Sequence, residues 1–262
     1  MKIALLASGS SGNCAYVEAG GTRLLIDAGI SLKQVCQRLT QIGVETETVD
    51  ALLISHEHID HAREASRIAL HFECPIYASE RTSGEIRRAL TGWEQQERFR
   101  PGKPFPLGSL EVYPFRISHD AREPCGFLIE GSSEIDGSCV VAAIATDLGI
   151  VYEDQQRLLS RCDALIIESN HDIEMLINGP YPDYLKKRIR SVLGHLSNDA
   201  AGKLIAQLVE EGRLKQALLA HLSENNNRPE IALETVKRHL NGRAGCQIHL
   251  SYRDRPSPVL TL

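Results

Sequence analysis

The stretch Ser55-His56-Glu57-His58-Ile59-Asp60-His61 determines both the fold and the chemistry that we predict for this chain. It directly follows residues 51–54, an apolar run of strand length. In α/β folds, ligand-binding loops usually lie at the carboxyl ends of strands. The first two histidines alternate in an extended loop and can face one ion, while the aspartate and the last histidine begin the next element and can face a second. Imidazole and carboxylate donors without thiolate suit zinc, or manganese where more oxygen donors join.

Strand-like and helical patterns follow one another twice along the chain. Apolar runs of strand length occur at residues 2–7, 15–19, 22–26, 51–54 and 76–78, and again at 110–117, 126–129, 139–145 and 164–167. Helical patterns occur at 31–42 and later at 182–191, 198–211 and 229–240, with further strands at 217–220 and 247–252. Two such groups favour two sheets packed face to face with helices outside. No repeat or linker divides the sequence, so we predict one α/β domain over residues 1–262.

Composition narrows the function classes. The chain has 262 residues with 42% hydrophobic and 24% charged residues, which is ordinary for a globular protein and excludes fibrous or disordered classes. No apolar run approaches the length of a membrane span, and the seven scattered cysteines form no C-x-x-C pair, so we predict a cytoplasmic protein without membrane association. The formal charge of −5 gives no overall basic field, so a nucleic-acid role would need a local basic patch.

His56-x-His58-x-Asp60-His61 resembles the signature of the metallo-β-lactamase fold hydrolases, whose fold is a four-layered αββα sandwich. The resemblance implies two divalent metal ions, zinc or manganese, and a metal-bridging hydroxide as the nucleophile. It also implies an aspartate, Asp27, that orients the ligand loop from the end of an earlier strand. The implied ligands are His56, His58 and His119 for the first ion, Asp60, His61 and His221 for the second, and Asp147 as the bridge. Many family members carry small residues, often glycine, just after the cluster, whereas Ala62-Arg63-Glu64-Ala65 stands here.

The metal ligands alone do not choose the reaction, because the family hydrolyses lactams, thioesters, lactones and phosphodiesters. Gly194-His195-Leu196-Ser197 is similar to the Gly-His-Ser-Thr stretch of the ribonuclease Z-like branch. There the histidine lies beside the scissile phosphate, which makes His195 a phosphate contact or general acid. His195 and the ligand Asp60 are therefore the predicted catalytic residues.

Several further stretches resemble the YycJ/WalJ-type branch over almost the whole chain. They are Ser8-Gly9-Ser10-Ser11-Gly12-Asn13, Glu168-Ser169-Asn170-His171-Asp172, Asn178-Gly179-Pro180-Tyr181-Pro182 and His221-Leu222-Ser223-Glu224-Asn225-Asn226-Asn227. The resemblance implies an exonuclease acting on double-stranded DNA, with Glu168 orienting the site. Lys186-Lys187-Arg188-x-Arg190 offers the local basic patch, although a solvated helix face has the same pattern. The predicted substrate contacts are Asn13, Lys186, Arg188 and Asn225.

Two other functions use the same residues. A lactone or thioester hydrolase would share the metal ions and attack a carbonyl carbon, and His195 and the basic helix would then be incidental. A non-catalytic metal-binding protein is the third alternative, and the complete ligand set argues against it.

Overall fold

The described residues of this computed structural model, 1–44 and 48–262, divide into two units. Unit 1 comprises Met1–Arg116, Ala121–Val140 and Tyr252–Leu262, and unit 2 comprises Ile117–Asp120 and Val141–Ser251. The predicted single domain over residues 1–262 stays a prediction.

Unit 1 contains a mixed sheet whose strands are β1 (Lys2–Ala7), β2 (Cys14–Ala19), β3 (Thr22–Ile26), β4 (Ala51–Leu53), β5 (Ile76–Ser79), β6 (Gln96–Phe99) and β14 (Leu260–Thr261). Their order in the sheet is β14-β1-β2-β3-β4-β5-β6. Pairing is antiparallel from β14 to β3 and parallel from β3 to β6. Because β3 and β4 are parallel and adjacent, the residues that follow them, Asp27 and the Ser55–His56 pair, share one edge of the sheet.

The helices of unit 1 are α1 (Leu32–Gln41), α2 (Ile59–Ala62), α3 (Ala65–Phe72) and α4 (Glu80–Ile86), and the strands β7 (Phe105–Leu107), β8 (Leu110–Arg116) and β9 (Cys125–Ser132) pair antiparallel. Helix α1 begins as its sequence predicts, because the Ser31 hydroxyl accepts the Gln34 backbone N–H in a capping box. Its buried residues Val35 and Leu39 belong to the same core as Leu52 of β4. The ligand loop therefore starts from a strand that is fixed by apolar packing.

Unit 2 contains four parallel strands: β10 (Cys139–Ala145), of which it includes Val141 onward, β11 (Ala164–Glu168), β12 (Gln216–Ala220) and β13 (Gln247–Leu250). Its helices are α5 (Glu153–Leu159), α6 (Ile173–Asn178), α7 (Asp183–Ile189), α8 (Asn198–Glu210) and α9 (Pro229–Leu240). Every residue of β11 is buried, as expected for a central parallel strand. The carboxyl ends of these strands place Asp147, Glu168 and His221 at one edge.

Most long elements lie within two residues of their predicted bounds, and β1, β3, β10 and α9 match them fully. The helices α2 to α6 were not predicted, because one or two turns give too little periodicity to recognise. Among the described residues, no helix is long and apolar enough to cross a membrane.

Candidate active site

Asp27 organises the ligand loop of unit 1, residues 55–61. Its carboxylate accepts hydrogen bonds from the Ser55 backbone N–H at 2.8 Å and from the Ser55 hydroxyl at 2.9 Å. The same carboxylate lies 2.7 Å from Nδ1 of His61. A histidine whose Nδ1–H bonds to a carboxylate keeps the lone pair of Nε2 for a metal, and metal ligands in proteins commonly make this bond. The structure thus places Asp27 where the sequence predicts an orienting residue.

His56 and His58 lie side by side at the start of this loop. Nε2 of His56 is 3.2 Å from Nδ1 of His58, and Nδ1 of His56 is 2.9 Å from the Ser55 hydroxyl. That hydroxyl donates to Asp27, so it can accept the Nδ1–H of His56. Two nitrogens bound to one tetrahedral zinc ion lie roughly 3.3 Å apart. The spacing of these two rings therefore suits shared binding of one ion.

Asn13 packs against the ligand loop from the first hairpin of unit 1. Its backbone N–H donates to the Asp60 carbonyl at 2.8 Å, and its amide nitrogen lies 2.9 Å from Nε2 of His61 and 3.4 Å from the Asp60 carboxylate. Its side-chain oxygen accepts the Gly9 N–H, and the residue is only 5% exposed. These contacts pack Asn13 against the residues from Asp60 to His61, and its role as a DNA contact stays a prediction.

Gly29 allows two backbone segments to lie close together beside the histidine cluster. Many family members have a glycine just after the cluster, and this chain has none there. A Cβ at this position would lie 1.7 Å from the Asp60 carbonyl oxygen and 2.5 Å from the Asn13 backbone nitrogen. Gly29 itself donates its N–H to the Asn13 carbonyl, and the guanidinium of Arg63 donates to the Gly29 carbonyl at 2.7 Å. The path of the ligand loop therefore depends on a glycine that precedes it by about thirty residues.

Glu168 has the corresponding role in unit 2. Its Oε1 lies 2.8 Å from Nδ1 of His221 and 2.8 Å from Nδ1 of His195. Its Oε2 accepts the backbone N–H groups of Leu148 at 2.8 Å and Leu196 at 3.3 Å. One fully buried carboxylate thus fixes both histidines and the backbone beside each of the predicted residues Asp147 and His195.

His119 lies beside the other predicted site residues of unit 2. Its Nδ1 lies 3.4 Å from the Gly194 carbonyl, and its Nε2 lies 3.9 Å from Asp147. The rings of His119 and His195 are 5.4 Å apart, and those of His195 and His221 are 5.2 Å apart. Single ligand atoms from Asp147, Glu168, His195 and His221 all lie within 4.8 Å of one another.

Three of the predicted site residues have left-handed backbone conformations. The φ angles are 66° at Asp27, 59° at Asp147 and 53° at His221, whereas the two other such non-glycine residues among those described, Glu73 and Asn241, end helices. This conformation is uncommon outside glycine and costs free energy, so it persists only where the surroundings impose it. At all three sites it turns the chain sharply at a strand end.

Burial and charge set the protonation states in unit 2. Burial by itself raises the pKa of Glu168, but the neighbouring His195 and hydrogen bonds from His195 and His221 lower it below its ordinary value. Burial likewise lowers the pKa of His195, yet the Glu168 carboxylate outweighs it and raises the pKa above its ordinary value. The raised pKa favours the protonated form of the His195 ring. Burial lowers the pKa of His119, which keeps that ring neutral and able to bind a metal.

A buried network of amides joins the loops of unit 2, and the sequence analysis did not predict it. The side chains of Asn198 and Asn227 exchange two hydrogen bonds of 2.9 Å, and the Ser169 hydroxyl donates to Asn198 at 2.7 Å. Asn227 also donates to the Asn170 carbonyl at 3.0 Å. These bonds hold the segments that carry Glu168, His195 and His221. The frequent asparagines were visible in the sequence, but asparagine in a loop more often marks a turn.

The remaining predicted substrate contacts lie on or near α7. Nζ of Lys186 donates to the Ile177 carbonyl at 2.7 Å, and the amide of Asn225 donates to the Tyr181 hydroxyl at 3.0 Å. The exposed Arg188 donates from Nε to the Asp120 carboxylate at 2.8 Å. Each side chain is engaged, but the ammonium and the guanidinium both keep further donors.

The donor set suits divalent metal ions. It combines imidazoles and carboxylates without thiolate, which zinc and manganese accept. His56, His61, His119 and His221 each engage Nδ1 with a hydroxyl, carboxylate or carbonyl oxygen, as metal-binding histidines generally do.

Comparisons with known proteins identify the family of this chain. A family model described as a beta-lactamase superfamily domain matches residues 22–222. The chain is 37% identical over 244 residues to the exodeoxyribonuclease WalJ of Streptococcus pneumoniae serotype 2 strain D39, covering 91% of this chain and 88% of that protein. It is 34% identical over 242 residues to the exodeoxyribonuclease YycJ of Bacillus anthracis, covering 92% and 89%.

A solved structure, that of Zn²⁺-bound PqqB from Methylobacterium extorquens, has a TM-score of 0.73 and 15% identity and covers all of both chains. Together with the structure of the metallo-β-lactamase fold protein YhfI from Bacillus subtilis, which has a TM-score of 0.70 and 17% identity and covers 99% of this chain and 98% of that chain, it confirms the predicted fold class, the αββα sandwich of the metallo-β-lactamase fold. Together with the family model and the two relatives, it shows that this chain belongs to the metallo-β-lactamase superfamily and, within it, to the WalJ/YycJ family.

Proposed function

We propose that this protein is a metal-dependent exonuclease that hydrolyses phosphodiester bonds in double-stranded DNA. The observation that carries the proposal is the shared carboxylate of Glu168, whose Oε1 lies 2.8 Å from Nδ1 of both His195 and His221 and so orients His195 as a proton donor. A DNA alkoxide leaving group needs such a proton donor, whereas the thiolate released from a thioester does not. The names of the curated relatives, exodeoxyribonucleases WalJ and YycJ, support the same activity.

We propose that two divalent ions, zinc or manganese, bind through seven side chains: His56, His58, Asp60, His61, His119, Asp147 and His221. The support within unit 1 is the spacing of His56 and His58. The support within unit 2 is that Asp147 and His221 are both buried and that Glu168 engages Nδ1 of His221, which leaves Nε2 for a metal. Bound divalent ions lower the pKa of water and stabilise negative charge on phosphoryl oxygens.

His195 supplies the proton in this proposal. Its Nδ1–H is held by Glu168, so Nε2–H is the group that can donate to the departing oxygen. The Glu168 carboxylate favours the protonated ring and fixes its orientation. About a fifth of the side chain is exposed, which gives a substrate access to it.

The phosphate contacts come from the basic helix α7 in this proposal. Lys186 and Arg188 would bind backbone phosphates with the donors that their present partners leave over, and Asn225 would add an amide contact. Such contacts position the strand and carry no sequence information. DNA turnover should therefore fall as salt rises.

Replacing His195 by alanine tests the general acid. Such groups are worth about 10²–10⁴-fold in rate, so His195→Ala should slow DNA hydrolysis by that factor while metal content stays unchanged. A nitrophenyl phosphodiester should be much less affected, because its phenolate leaves without a proton. The matched control is His239→Ala, since His239 is equally exposed at 22% and pairs with Asp199 at 3.1 Å.

The outcomes separate the alternatives. Equal losses on both substrates would leave His195 as a phosphate contact only. Unchanged rates on both, with turnover of a lactone or thioester panel by the wild-type protein, would favour the small-molecule hydrolase.

The cellular location is part of the proposal. The seven cysteines are all free thiols. This is the usual state in a reducing compartment and supports a cytoplasmic enzyme.

A further inference from the structure

Exposed apolar side chains lie close in sequence to the proposed proton donor of unit 2. Val192 and Leu193 are consecutive, 54% and 48% exposed, and precede His195 by three and two residues. Tyr184 of α7 is 75% exposed, and Ile177 of α6 is 48% exposed. Contiguous exposed apolar side chains on a folded protein commonly mark a binding surface.

The loop that carries Val192 and Leu193 is held firmly at its backbone. The Ser118 hydroxyl donates to the Val192 carbonyl at 2.6 Å, and the His195 N–H donates to the Ile189 carbonyl at 2.9 Å. Gly149 permits this packing, because a Cβ there would lie 2.5 Å from the Val192 carbonyl. With the backbone fixed, the two apolar side chains remain at the surface beside the segments of Ser118–His119 and Asp147.

The chain segment that leads to Val192 and Leu193 is basic. The segment from 177 to 193 contains four Lys or Arg residues and one acidic residue, in a chain whose formal charge is −5. Tyr184 and Arg188 are four residues apart and so share one face of α7, and Arg188 reaches Asp120, the neighbour of His119. Apolar and aromatic side chains among cations suit a nucleic acid, since bases stack on them while phosphates meet the cations.

We propose that Val192 and Leu193 form a wedge that unstacks the terminal base pair of duplex DNA and directs one strand toward His195. This inference rests on the proposed function and goes further by naming how a paired end is opened. Proteins that insert apolar side chains between bases offset the cost of unstacking with the new contacts that they make. A single-stranded substrate does not need this step.

The test compares Val192→Ser/Leu193→Ser with the wild-type holoenzyme on a blunt duplex and on one of its strands. The double variant should digest the duplex about tenfold more slowly and the single strand within about twofold of wild type. Ile135→Ser, which changes an apolar side chain 77% exposed in unit 1, is the matched control and should change neither rate. Exposed substitutions of this kind leave the stability of the fold nearly unchanged, and thermal unfolding checks this.

A binding readout accompanies the rates. A duplex with 2-aminopurine at its terminal pair and phosphorothioate linkages, which resist hydrolysis, should gain fluorescence with the wild-type protein and much less with the double variant. Equal slowing of both DNA substrates, or unchanged fluorescence, would overturn the wedge while leaving the exonuclease intact. The double variant could instead lose binding to anionic lipid vesicles, or lose dimers seen in sedimentation. Either result, with an unchanged ratio of the duplex and single-strand digestion rates, would likewise overturn the wedge. A wild-type protein inactive on both DNA substrates would refute the proposed function itself, and the wedge with it.

Discussion

Asp27→Asn tests how a carboxylate controls the metal ligands without touching a metal. The substitution keeps size and shape, and asparagine tolerates the left-handed backbone at φ 66°. What changes is that one carboxylate oxygen becomes an NH₂ group. Both oxygens of Asp27 now accept hydrogen bonds, one from the Ser55 N–H and the other from the Ser55 hydroxyl and His61. An NH₂ group in the position of either oxygen would face a hydrogen-bond donor and could not accept its hydrogen bond.

The size of the effect follows from these contacts. If the NH₂ group faces His61, the ring must accept at Nδ1 and carry its proton on Nε2, which removes the lone pair needed for a metal. If it faces the Ser55 N–H, the start of the ligand loop must shift. Loss of such an orienting bond typically costs 10–100-fold in metal affinity. The lost bonds to a charged acceptor should also lower the free energy of unfolding by about 1.5–3 kcal/mol.

The assay is competition for zinc or manganese against a chromophoric chelator, combined with urea unfolding. Asp163→Asn is the matched control, because Asp163 is equally buried, accepts the Val141 N–H at 2.9 Å and pairs with Arg213 at 3.0 Å. Both variants should lose stability, but only Asp27→Asn should lose metal affinity. Wild-type affinity in Asp27→Asn, together with the same destabilisation as the control, would refute the reasoning.

Three further predictions concern other residues. Asp60→Ala should abolish DNA turnover and remove one equivalent of metal by elemental analysis, while circular dichroism stays unchanged because the side chain contributes little to the core. Gly29→Ala should destabilise by about 1–3 kcal/mol in urea and weaken metal binding, because its Cβ meets backbone atoms, whereas Gly84→Ala, with open space around the Cβ, should not destabilise. Burial alone raises the pKa of Glu94, but hydrogen bonds to its carboxylate, from the Ser66 hydroxyl first, lower it to about 2. Its folded pKa is therefore depressed, so wild type should exceed Glu94→Gln in stability above about pH 4.5 and lose that advantage as the pH falls toward 2, measured by unfolding at several pH values.

The sequence alone determined the fold family and the order of the chemical groups. Apolar runs that end in Asp or His, as before Asp27, Asp147 and His221, are local patterns and can be seen without a structure. In parallel sheets such strand ends meet at one edge, so the ligand-bearing positions could be predicted from their place after each strand. The cluster from His56 to His61 then fixed the kind of chemistry, because its residues are close in the sequence itself.

Only the tertiary structure decided which carboxylate holds which histidine. Asp27 meets His61 and Glu168 meets His221 across 34 and 53 residues, because the order of strands in each sheet brings those loops together. The same long-range packing buried Asn13 against the ligand loop and assigned the close approach to Gly29. Local patterns report which face of an element is apolar, but they carry no information on which distant backbone will lie against it. Hydrogen-bond partners and backbone clashes depend on that neighbour, and they are therefore properties of the folded chain.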